Sequence, residues 1–242
     1  MRFQPDRRRR LEETVEPLSR CSPWLVVVPL VPFVLTVFVI AAGFAMTRGE
    51  RALFPPEYAN VVLGVAYLGV LVVLYWRWDR ATWNASAVFS RPSRNELGAG
   101  LLAALVGSVL LIPAANAVAR TLELTLHEAP ELTTTSELVA FLFAAVLVAP
   151  VAEEVLFRGV LLGYLLSRGY GLLLAAVLSV LLFSVIHVLI VGPVNVLIAA
   201  ALGTLLTVLR LWYNNLVGAW LMHALTNLAA LLIGLAAIPP LY

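Results

Sequence analysis

Apolar stretches long enough to cross a bilayer recur along most of this chain, with little polar sequence between them. They fall at 24–46, 58–76, 98–119, 138–166, 172–191, 194–210 and 216–237. Each is near the roughly 20 residues that a helix needs to span a hydrocarbon core. In lipid every backbone polar group must find its partner within the segment, so such stretches form helices. The expected fold class is all-α: a polytopic transmembrane helix bundle of about seven spans, with about six to eight as the range. Composition agrees. The 242 residues are 62% hydrophobic and 12% charged, with a mean hydropathy of +0.95, too apolar for a soluble domain of this length. The first run, from Trp24 to Met46, exceeds a signal-peptide h-region and reads as an uncleaved span, with Pro29 and Pro32 in its opening turns.

A formal net charge of +2 points to no nucleic-acid partner. All basic residues are arginine, and their placement suggests an orientation. The first 23 residues carry Arg7 to Arg10 and Arg20, and the loop after the second run carries Arg77, Arg80, Arg91 and Arg94. The loop after the third run sets Glu123, Glu128 and Glu131 against Arg120. Arg168 and Arg210 follow later spans. By the positive-inside rule the N-terminus is cytoplasmic and the C-terminus external; only the 47–57 loop, with Arg48 and Arg51, goes against it. Asn84-Ala85-Ser86 has the form of a glycosylation acceptor but falls in a cytoplasmic loop and carries no weight. The chain divides into a basic N-terminal segment (1–23), three spans (24–119), an acidic extracytoplasmic loop (120–137) and a four-span unit (138–237), without an internal repeat. Cys21 is the sole cysteine, so neither an internal disulfide nor a cysteine metal site is available.

The fourth run contains APVAEEVLFRG at 149–159. Glu153, Glu154 and Arg158 would each cost roughly 2.5–3.5 kcal/mol at a helix centre, a sum that the surrounding Leu, Val, Ile and Phe only just offset. Such residues pair with one another or face a wet interior. Glu154 and Arg158, at i and i+4, share a helix face, whereas Glu153 points about 100° away, over Phe157. One glutamate is expected to be structural and the other free. Pro150 removes a donor to the carbonyl of Val146 and bends the span. His187, in FSVIH, and His223 with Asn227, in HALTN, also lie within spans. His127, in the acidic loop, reads as a solvated residue.

A glutamate, two histidines and an asparagine in a low-dielectric pocket suit amide hydrolysis. Glu153 could take a proton from water while His187 orients it, and His223 and Asn227 could hold the developing oxyanion. Neither serine nor cysteine stands in a nucleophile motif beside them. Two histidines and a glutamate also fit a catalytic zinc site, although the helical H-E-x-x-H spacing is absent. A third reading is proton-coupled transport, or a membrane immunity protein without catalysis.

EEVLFR at 153–158, FSVIH at 183–187 and HALTN at 223–227 resemble, in order, the EExxxR, FxxxH and HxxxN motifs of the CAAX-processing and bacteriocin-processing intramembrane protease family (CPBP, or Abi). The resemblance covers about 138–237, which becomes the expected catalytic core, with 24–119 as accessory spans. It implies a metal-free glutamic endopeptidase without a cofactor. Glu153 is then the base, Glu154 and Arg158 support it, His187 assists with the water, and His223 with Asn227 lines the oxyanion site. The implied substrate is a peptide or membrane protein, prenylated or bacteriocin-like, met in the lipid bilayer. A prokaryotic plasma membrane is the expected location; the oligomeric state is open.

Overall fold

The computed structural model describes residues 5–46, 57–123, 134–188 and 194–237. These residues are all-α, with no strand among them. His127, Glu128, Glu131, Arg48 and Arg51 lie outside the described residues, as does most of the acidic loop.

The basic N-terminal segment is a helix, α1 (Pro5–Val15), followed by 3₁₀ turns at Glu16–Arg20, Pro23–Val26 and Val28–Leu30. Leu11, Val15 and Leu18, at i, i+4 and i+7, are buried, which docks the segment on the bundle. Arg8 and Arg9 face outward in i,i+4 pairs with Glu12 (2.8 Å) and Glu13 (3.1 Å), exposed and worth little, whereas Arg7 lies over the Trp212 ring at 4.3 Å. Regular α-helix begins only at Val31, because Pro23 and Pro29 open 3₁₀ turns.

The remaining helices are α2 (Val31–Met46), α3 (Glu57–Arg77), α4 (Arg80–Ser86), α5 (Arg94–Thr121), α6 (Thr135–Ser167), α7 (Leu172–Ile186), α8 (Val194–Tyr213) and α9 (Val217–Ala237). Among the described residues five apolar helices reach membrane-crossing length, while Leu172–Ile186 and Val217–Ile233 are shorter apolar segments. The seven apolar runs of the sequence therefore all appear as helices, and the chain is an integral membrane protein. The stretch between the second and third runs is more than a loop. Asp79 caps α4 by accepting from the Thr82 amide (2.7 Å), and α4 then packs against α6.

At the centre lies α6. Its first half packs against α3 and α9, its middle against α4 and α7, and its last turns against α1. Glycines set the closest approaches. A Cβ at Gly64 would stand 2.7 Å from the Phe143 ring, and one at Gly100 would stand 2.8 Å from the Gly218 carbonyl oxygen. Such small residues let membrane helices come into backbone contact. At Gly159 a Cβ would collide with the carbonyl oxygen of Ser86, so the end of α4 lies directly on the α6 backbone. The start of α9 is held by buried Glu96, which accepts from the Gly218 amide (2.9 Å) and Asn215 Nδ2 (3.0 Å).

α6 does not keep one helical period. Leu142–Val148 and Glu154–Leu161 are π-helical, with α-helical Ala149–Glu153 between them. π stretches bond i to i−5 and widen the turn. Pro150 therefore leaves a different gap from the one α-helical counting gives. The Ala149 amide bonds the carbonyl of Ala144, five residues back. In that register the carbonyl that Pro150 cannot serve is Ala145, one residue before Val146.

Candidate active site

Glu153 and Glu154 are both buried, 5% and 0% exposed, in the middle of α6, and Arg158 is 0% exposed one turn on. Arg158 Nη1 lies 3.3 Å from Glu154 Oε1, the expected i,i+4 pair. Two further contacts hold the guanidinium: Nη2 donates to the Gly203 carbonyl (3.1 Å), and its plane lies 4.1 Å from the centre of the Phe183 ring. Gly203 makes room for this, since a Cβ there would stand 3.0 Å from Phe183 and 3.1 Å from Arg158 Nη2. A cation out of water is strongly destabilising unless it is matched in this way.

Glu154 also binds α9. His223 Nδ1 lies 2.9 Å from its Oε1. A carboxylate only accepts, so this contact places the ring proton on Nδ1. Nε2 is thereby turned toward Glu153, 3.7 Å from its Oε2. His187 repeats the arrangement from α7: its Nδ1 lies 2.6 Å from the Phe183 carbonyl, which also only accepts, leaving Nε2 without the proton.

The expected free glutamate is not free. Glu153 Oε1 accepts from the Tyr67 hydroxyl at 2.6 Å, a contact supplied by α3. Its other oxygen, Oε2, is buried and has no partner among the described residues. Both carboxyl groups nonetheless reach the same imidazole, Glu153 at Nε2 and Glu154 at Nδ1. The helix is widening into its π stretch at this point.

Phe183 ties the cluster together. Its ring centre is 4.5 Å from that of His187, 6.1 Å from His223 and 5.2 Å, edge-on, from Phe157. Phe33 closes the other side, 5.6 Å from Tyr67 and 6.3 Å from His187. The structure thus brings Glu153, Glu154, Arg158, His187 and His223 into one polar cluster walled by aromatic rings. Asn227 sits one turn beyond His223, where its Nδ2 donates to the Ala145 carbonyl at 2.7 Å. Sequence reasoning missed Tyr67, Phe33 and Gly203 altogether. Phe183 lay inside FSVIH, yet it was read only as motif.

Among the described residues no three His, Cys, Asp or Glu side chains form a set able to hold a metal ion. The cluster suits general acid–base chemistry: a buried carboxylate has one oxygen anchored and the other 3.7 Å from His223 Nε2, with the His187 ring in the same cluster.

Residues 135–229 match the family model described as type II CAAX prenyl endopeptidase Rce1-like. The match supports a CAAX protease relationship for this segment. The matched segment begins at the N-terminus of α6 and ends two residues past Asn227, so it contains every clustered residue except Tyr67 and Phe33. The match supports a CAAX-type intramembrane protease in general. No curated protein and no solved structure matches it.

Proposed function

We propose that this protein is an intramembrane endopeptidase in which Glu153 activates water against a peptide bond of a prenylated or otherwise membrane-anchored substrate. The observation that carries the proposal is the state of that carboxylate. One oxygen is fixed by Tyr67, while Oε2 is buried, unpartnered and 3.7 Å from His223 Nε2. A base in this setting is poorly solvated and reactive.

Glu153 Oε2 takes a proton from water as the water oxygen bonds to the carbonyl carbon. His187 Nε2 accepts from the same water and aims it. Negative charge develops on the carbonyl oxygen, where Asn227 still has a second N–H to offer. On this reading His223 lines the same site, its ring held by Glu154. The C–N bond then breaks, and the proton on Glu153 passes to the leaving amine. Arg158 pairs with Glu154, which in turn holds the His223 ring.

On this reading residues 138–237 form the catalytic core, and the spans of 24–119 frame it while supplying Tyr67. Basic α1, Arg168 and the end of α8 lie at one end of the bundle, linked by Arg168 Nη1 to the Ser19 carbonyl (3.2 Å) and Asn214 Nδ2 to Thr14 (2.7 Å). That supports a cytoplasmic N-terminus, with a prokaryotic plasma membrane as the setting. The test is cleavage of a farnesylated peptide ending in a CAAX sequence by purified protein in liposomes. Wild type should release the terminal tripeptide and Glu153→Gln should not. Full cleavage by Glu153→Gln would end the glutamate assignment.

A further inference from the structure

Tyr67 lies on α3, outside the matched segment 135–229, yet it makes the shortest side-chain contact to Glu153. We infer that Tyr67 is a positioning residue: its hydroxyl pins Glu153 Oε1 so that Oε2 faces the water. This rests on the glutamate reading above and extends it to a residue that no motif contains.

Three observations converge on it. The side chain is fully buried, and its hydroxyl meets Glu153 Oε1 at 2.6 Å, the short distance of a bond to a charged acceptor. The ring is held edge-on by Phe33 at 5.6 Å, so the phenol has little freedom to swing away. Gly64, one turn earlier on the same face of α3, lets that helix close against α6, which puts the phenol within reach. The hydroxyl therefore does more than satisfy a buried polar atom. A carboxylate with both oxygens unbound could rotate about its last bond and turn Oε2 from His223. With Oε1 anchored, Oε2 has one direction left.

Tyr67→Phe removes one oxygen and keeps the ring and its contact with Phe33. With the farnesylated CAAX peptide in liposomes, kcat should fall about ten- to a hundredfold while KM stays within about twofold, since substrate binding is untouched. The thermal unfolding midpoint should stay close to that of wild type. Tyr67→Leu should lose kcat to the same extent as Tyr67→Phe, because the hydroxyl is what both lack. If Tyr67→Phe keeps wild-type kcat while Glu153→Gln is inactive, this inference fails and the glutamate reading stands. If Tyr67→Phe fails to fold, or loses kcat only in step with its melting temperature, Tyr67 is a packing residue and the inference is overturned. Undiminished cleavage by Glu153→Gln, or none by wild type, removes both readings together.

Discussion

Asn227 Nδ2 occupies the place of the amide hydrogen that Pro150 lacks, donating to the Ala145 carbonyl at 2.7 Å. The π register makes this carbonyl the orphan, and α9 supplies the donor. Asn227→Ala should therefore destabilise the protein by about 1 kcal/mol, the usual worth of a part-buried hydrogen bond. Adding Pro150→Ala returns a backbone N–H to the helix and should recover most of that loss. Thermal unfolding of the four proteins in a double-mutant cycle measures the coupling, and simple additivity would contradict it.

The two glutamates should differ in stability as they do in surroundings. Glu154→Gln leaves Arg158 buried beside a neutral amide and should cost about 3–5 kcal/mol. Glu153→Gln keeps an oxygen for the Tyr67 hydroxyl and should stay within about 1 kcal/mol of wild type. Equal melting temperatures for the two variants would refute the pairing.

Gly203→Ala inserts a methyl between Phe183 and Arg158, at 3.0 and 3.1 Å. Overpacking of this kind costs about 1–3 kcal/mol. The variant should lose stability and activity together, because Phe183 contacts both His187 and His223. A variant that melts and cleaves like wild type would mean that the ring can shift freely.

Water activated by a carboxylate requires no bound metal. Cleavage of the farnesylated peptide should keep its rate within about twofold in o-phenanthroline, and the purified protein should carry less than stoichiometric zinc. Inhibition reversed by added zinc would favour the metalloprotease reading.

Burial, with a smaller contribution from the Asp79 charge, pushes the Cys21 thiol up from its ordinary value. Only the thiolate reacts, so at pH 7 maleimide labelling of this sole cysteine should be slower than that of a free thiol and should quicken as pH rises. Asp79→Asn should speed it. In oriented membranes a membrane-impermeant maleimide should reach Cys21 only from the cytoplasmic face; labelling from outside would invert the topology.

The parts of this molecule visible in its sequence are those where residue type alone carries the signal. Seven apolar runs give seven apolar helices, and two charges at i and i+4 in a span give the Glu154–Arg158 pair. Leu11, Val15 and Leu18 stand at helical spacing in the sequence too, among the arginines of the basic N-terminal segment. Tyr67, by contrast, was hidden. A tyrosine in an apolar span has many possible partners, and only the packing of α3 on α6 selects Glu153. The π stretches were hidden too, because hydrophobic patterning in an all-apolar helix does not report its period. The histidine shared by the two glutamates was hidden as well, since it depends on where α9 sets His223.

The notch at Gly159, filled by the Ser86 carbonyl, bears on how this protein could be rebuilt or shuffled. A chimera grafting residues 135–237 onto a foreign N-terminal half would need a chain crossing α6 at that same level. Without it, the backbone beside Glu154 and Arg158 would stand open to lipid or water. The recognisable protease segment is therefore not a cassette: its lock is in the last hundred residues, and its key is in the first.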